Sequence, residues 1–199
     1  MTHPRTARRS LIAVIGDAGR AANEAKVALA EEIGRRLVDS GYRVITGGLD
    51  GVMAAALRGA AASSKYAPGD TVALVPGHDP AEANEWADIA IATGLDHVRN
   101  SIVAHSDAVI AIGGGAGTLS EICFAWMYRR LIVGLRVDGW SGELADRRMD
   151  GRIRYPNLSD DRVFGAVTAA EAVSIVTERL DSYCRRSHGI SRAPSDRVP

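Results

Sequence analysis

The chain has 199 residues, 46% hydrophobic and 5% aromatic, enough apolar material for one domain with a sizeable core. Lys plus Arg and Asp plus Glu both number 24, so the formal net charge is zero and nucleic acid is a poor match as the main partner. No apolar stretch approaches the ~20 residues of a membrane span, and the run beginning at Leu11 is too short for the ~7–15-residue core of a signal peptide. A cytoplasmic protein without a membrane partner is expected.

Leu11 to Ile15 is a continuous apolar run that ends in Gly16, as in a strand buried on both faces. "EAKVALAEEIGRRLVDSG" follows, with Val27, Ala30, Ile33 and Leu37 at helical spacing and Gly41 placed to end the helix. "YRVITGG" reads as a second strand, "LDGVMAAALRGAAAS" as a small-residue helix, and "TVALVPG" as a third strand. After the polar loop "PGHDPAEANEWA" come a strand in "DIAIATG" and a helix in "LDHVRNSIVAHS", with Asp96 as candidate N-cap. "DAVIAIGG" is a fifth strand, "GTLSEICFAWMYR" a helix and "LIVGL" a sixth strand. Periodicity is lost over 137–162, an irregular excursion expected at the surface, beside the ligand mouth or a dimer contact. "TAAEAVSIVTERLDSYCRR" closes the pattern as an amphipathic helix.

Strands alternating with helices imply parallel pairing and right-handed crossovers. The fold class is therefore α/β: a Rossmann-like, doubly wound, mostly parallel sheet of six to seven strands in a single domain. The expected organisation is a flexible stretch over 1–9, the domain over 10–186 and a disordered tail over 187–199.

Three strands run into glycine: Gly16, then Gly47, Gly48 and Gly51, then Gly113, Gly114, Gly115 and Gly117. The carboxyl ends of parallel strands form the ligand crevice of such a sheet. Glycine there allows close backbone approach, and the N–H groups of a following helix favour an anion. Three such loops on one edge point to a phosphate-bearing ligand. Neither G-x-x-x-x-G-K-[ST] nor a complete G-x-G-x-x-G is present, since no lysine follows a glycine cluster and Thr118 occupies the third position of the latter. ATP hydrolysis and ordinary dinucleotide redox chemistry are thereby disfavoured.

"GGGAGTLSE" resembles the P-G-G-x-G-T-x-x-E signature of the LOG ("lonely guy") family, whose members are often mislabelled lysine decarboxylases. "TGGLDGVMAAALRGA" is similar to that family's earlier G-G-G-x-x-G-[LV]-M element. "VPG…AN", "IATGLDHVRN" and "SDAVIAIGGGAGTLSEI", in this order, resemble the sister group that includes molybdenum-cofactor carrier proteins. The resemblance spans about Leu11 to Arg136. It implies two functions. One is a carrier or sensor that binds a nucleotide or a molybdenum-cofactor-type pterin phosphate. The other is a nucleoside 5′-monophosphate phosphoribohydrolase, which releases base and ribose 5-phosphate. The essential Arg and Glu of the hydrolases match Arg99 and Glu121. Their opening proline is Gly113 here, and their Arg-Lys pair is Arg99-Asn100; at both points the chain follows the carrier group.

The ligand-binding set is therefore expected to comprise Gly16, Asp17, Gly47, Gly48, Gly51, Arg99, Asn100, Gly113, Gly114, Gly115, Gly117 and Thr118. Arg99 and Glu121 would be catalytic only in an enzyme. Glu121 has a second reading, because Thr118 to Glu121 spells a T-x-x-E capping box. Asp17 and Asp50 would cap helices or accept a ribose hydroxyl. His78, His97 and His105 lack ligand spacing, so no metal site is expected. No cofactor is required, and the candidate ligands are an AMP-like nucleotide or molybdenum cofactor. Cys123 reads as a structural thiol. Leu119, Ile122 and Trp126 form an apolar stripe suited to the core or to a homodimer contact.

Overall fold

The computed structural model describes residues 8–183. The expected tail over 187–199 and most of the N-terminal stretch lie outside them. Arg8 and Arg9, which are described, pair with Asp107 and Asp70 at the start of the sheet.

In chain order the elements are β1 (Leu11–Gly16), α1 (Glu24–Asp39), β2 (Arg43–Thr46), α2 (Val52–Ala61), β3 (Thr71–Val75), β4 (Ile89–Ala92), α3 (Asn100–Val103), β5 (Ala108–Ile112), α4 (Ala116–Met127), β6 (Leu131–Leu135), α5 (Trp140–Leu144), β7 (Val163–Ala166) and α6 (Ala169–Tyr183). All seven strands are parallel, in the order β4-β3-β2-β1-β5-β6-β7. The chain winds outward from β1 to β4, then returns to β1's other side as β5. The switch point between β1 and β5 opens a crevice at the carboxyl edge.

The continuous apolar strands divide by the two-residue period of a pleated sheet. Ile12, Val14, Ile110, Ile112, Leu131 and Val133 pack with α1, α2 and α6 on one face. Ala13, Ile15, Val109, Ala111 and Ile132 pack with α3 and α4 on the other. Both faces of β1, β5 and β6 are covered, which is why these strands lack a polar alternation, whereas Ile89 and Ile91 of the edge strand β4 stay partly exposed.

The segment 137–162 is not a simple surface excursion. It contains α5, whose Ser141 is fully buried beneath the β5 loop. Its Arg154 is buried against Asp161, stacks over Trp126 at 3.6 Å and donates to the Trp126 carbonyl in the last turn of α4 and to the Arg130 carbonyl just beyond it. A cation there complements the negative end of the helix dipole. The Tyr183 hydroxyl donates to the same Asp161, which ties α6 to this corner.

Two expected caps are corrected. Asp96 caps no helix: it has φ +46 and opens a 3-10 turn over Asp96–Arg99, preceded by Leu95 without a side-chain cap. The capping box at Thr118 and Glu121 is also absent. α4 already begins at Ala116 with Gly115 as N-cap, so both residues lie inside the helix. Along α4, Ile122 and Trp126 are core residues and Leu119 is half-buried.

Candidate functional site

The β5–α4 loop makes its turn at Gly113 and Gly114, with φ +66 and +96. L side chains are strained there, and proline, fixed near φ −65°, is excluded. The loop is clamped from α5: the Gly113 amide donates to Ser141 Oγ at 2.7 Å, and that hydroxyl donates to the Leu135 carbonyl. The Trp140 and Ser141 amides donate back to the Gly114 and Gly113 carbonyls at 3.0 Å. Ser141 lies 28 residues after Gly113, with no local sequence pattern to announce the contact.

This clamp presents the start of α4. Gly115 caps the helix without a side chain, so the first-turn N–H groups lack side-chain acceptors. Gly115, Ala116 and Gly117 are exposed, and a Cβ at Gly115 or Gly117 would meet open space. The glycines Gly16, Gly48, Gly51 and Gly114 differ, because their side-chain directions are filled by the protein itself: Ile112, Ala73 and Val75, Asp17 and Ala18, and Thr118 respectively. Thr118 donates to the Gly16 carbonyl at 3.3 Å and joins the first and third loops.

Arg99 enters from the turn before α3 and is 8% exposed. Its guanidinium packs against the second loop, where a Cβ on Gly47 would stand 2.7 Å from both terminal nitrogens. Nη1 donates to Asn100 Oδ1 at 3.0 Å. Asn100 Nδ2 in turn donates to Ser120 Oγ at 2.8 Å and to the Gly117 carbonyl at 3.3 Å. Arg99 Nε is buried without a hydrogen-bond partner. Burial lowers the Arg99 pKa, opposed by Glu121 and Asp96, and the guanidinium stays charged.

Glu121 projects from α4 and is 7% exposed, with Oε1 3.7 Å from Arg99 Nη1. Loss of water around its carboxylate pushes the pKa up to about 8, and the nearby Arg99 only partly offsets this. Burial thus favours the protonated form of Glu121 despite the neighbouring guanidinium. The structure thus brings Arg99, Asn100, Glu121, Gly47 and the start of α4 together.

Asp17 caps no helix and pairs with Lys26 at 2.6 Å, both side chains about nine-tenths buried. α1 is capped instead by Asn23, which accepts from the Lys26 amide. Asp50 precedes the α2 N-cap Gly51 and accepts from the Gly19 amide at 3.0 Å. The histidines lie apart: His78 against Gly94, His97 exposed, and His105 against Tyr128. Among the described residues no group of three or more His, Cys, Asp or Glu is placed to hold a metal ion. Likewise no helix there is long and apolar enough to cross a membrane. Cys123 is a half-buried free thiol whose pKa burial raises.

A model of the SLOG cluster4 family matches residues 9–163. An uncharacterised protein of Archaeoglobus fulgidus is 40% identical over 109 residues, covering 54% of this chain and 69% of the relative. Among solved structures, the molybdenum cofactor binding protein from the phototrophic bacterium Rippkaea orientalis is similar at 30% identity and TM-score 0.72, covering 87% of this chain and 98% of that one. The molybdenum cofactor carrier protein of Chlamydomonas reinhardtii is similar at 28% identity and TM-score 0.69, covering 87% and 99%.

Proposed function

We propose that this chain, which belongs to the SLOG cluster4 family, carries or senses a phosphorylated small molecule at the crevice between Arg99 and the start of α4. The observation that carries this reading is the Arg99 guanidinium: nine-tenths buried, with Nε unpartnered, beside an uncapped helix N-terminus open at Gly115 and Gly117. A buried donor left unmade costs about 1–3 kcal/mol. A phosphate oxyanion fits both the planar fork and the helix amides. The cofactor-binding relatives favour a pterin phosphate of the molybdenum-cofactor type, with a nucleotide as the other candidate.

Mass spectrometry of ligand retained through native purification tests the reading. A pterin phosphate or a nucleotide is expected. Gly117→Val, whose side chain enters open space and leaves the fold intact, should weaken retention at least tenfold, about 1.4 kcal/mol. Unchanged retention by the folded variant would remove the α4 start from the site.

A second reading, nucleoside 5′-monophosphate phosphoribohydrolase, is favoured by the proximity of Arg99 and Glu121 at 3.7 Å. A protonated Glu121 is equipped to donate a proton to a departing base, not to offset an oxocarbenium charge. Gly113 at φ +66 also departs from the proline of the hydrolase pattern. Incubation with AMP should therefore release little adenine. Steady release by the wild type, abolished in Glu121→Gln, would move the assignment to the enzyme.

The carrier reading includes a homo-oligomer. Ile89, Ile91, Val98 and Ile102 are 41–65% exposed on the side of the sheet where α3 has only four residues. A second copy of this chain would cover that apolar strip.

A further inference from the structure

We propose that the Asp17–Lys26 pair is a charge-balanced floor under the β5–α4 loop, and that Lys26 is the residue through which this floor sets anion affinity. The inference rests on the proposed anion crevice. Asp17 follows β1 and Lys26 comes from the first turn of α1, so the pair sits at the switch point between β1 and β5. Nζ donates to Asp17 Oδ2 at 2.6 Å. The space the pair fills is the space a side chain on Gly113 would need. A Cβ there would collide with Asp17 Oδ2 and stand 2.9 Å from Lys26 Nζ. The buried pair thus leaves no room for a side chain at position 113, in addition to the strain that φ +66 imposes.

A cation in the first turn of α1 opposes the helix dipole. Burying an ion pair rarely gains stability over apolar side chains of the same size. Functionally the pair makes sense. Asp17 alone would set an uncompensated negative charge against a loop that has to meet an anion, and Lys26 cancels it. Lys26 thus acts on the ligand through the field it balances, as a positioning and specificity-determining residue.

The test is calorimetric titration with AMP and with inorganic phosphate. The proteins compared are the wild type, Lys26→Met, Asp17→Asn and the double variant, each checked for folding by thermal unfolding. Lys26→Met should bind about tenfold more weakly, the scale of one screened unit charge near a partly buried site. Asp17→Asn should bind more tightly and with steeper salt dependence, because Lys26 is then unopposed. The double variant should return to within about threefold of the wild type, since the charge is again balanced. Should Lys26→Met fail to fold, Asp17→Asn and the double variant still decide. A purely structural pair predicts that Asp17→Asn binds no more tightly than the wild type, and that outcome overturns the proposal while leaving the anion site in place. Failure of the wild type to bind either probe overturns the anion-site reading and the floor with it.

Discussion

Glu121→Gln should melt well above the wild type at pH 8.5 and close to it at pH 4.5. The carboxyl of Glu121 is displaced from 4.5 to about 8 in the folded chain, chiefly by loss of water around it. Between those values the unfolded chain has released the proton while the folded chain retains it. The folded state then binds more protons, so stability falls as pH rises. The contribution is fully present below about 4.5 and is lost by the time pH has passed about 8. A displacement of this size has an upper limit of about 5 kcal/mol. A working value is on the order of 3 kcal/mol, or roughly 10 °C in melting temperature for a domain of this size. Glutamine keeps the shape and removes the titration. Other groups act equally on both proteins, so the difference in melting temperature, followed across pH by calorimetry, isolates Glu121. A difference that does not vary with pH would show that this carboxyl is not held protonated by the fold.

Much of the fold is legible in the sequence. Parallel strands leave apolar runs, and six of the seven, the half-exposed edge strand β4 included, show this signal ahead of glycine, aspartate or a polar turn. β7 is harder to see because Val163–Ala166 is four residues long, holds a glycine and follows a stretch without periodicity. The crevice is legible in its glycines and in Arg99, since they belong to motifs with fixed spacing. Their division of labour is not. Gly47 and Gly113 make room for Arg99 and for the Asp17–Lys26 pair, whereas Gly115 and Gly117 face open space, and only the packed structure separates these roles. Lys26 is hidden because it reaches the third loop from α1 instead of following a glycine cluster. The T-x-x-E at Thr118 misleads because α4 starts two residues earlier: an uncapped glycine N-terminus gives no side-chain signal.

Arg99→Lys should lower affinity for the retained ligand by at least about 100-fold, or 2.7 kcal/mol, although the formal charge is unchanged. The slot that holds Arg99 is tight. One side is the Gly47 backbone, so close that a Cβ would stand 2.7 Å from both terminal nitrogens. Asn100 fixes Nη1 and is itself fixed by Ser120 and by the Gly117 carbonyl, so the guanidinium is tied to the first turns of α4. Glu121 stands 3.7 Å away with its pKa raised by burial, so it pairs only loosely with the guanidinium. An ammonium group is compact and presents its donors tetrahedrally, so it matches neither Asn100 nor a planar set of oxyanion contacts. Gly47→Ala supplies an independent check from the opposite wall. It leaves Arg99 in place chemically but pushes the fork out of its slot, and should weaken binding by about tenfold. Calorimetric titration of both folded variants with the ligand identified by mass spectrometry measures the two losses. Affinity within threefold of the wild type for Arg99→Lys would mean that charge alone suffices. The buried, underpartnered guanidinium would then not be the group that grips the phosphate.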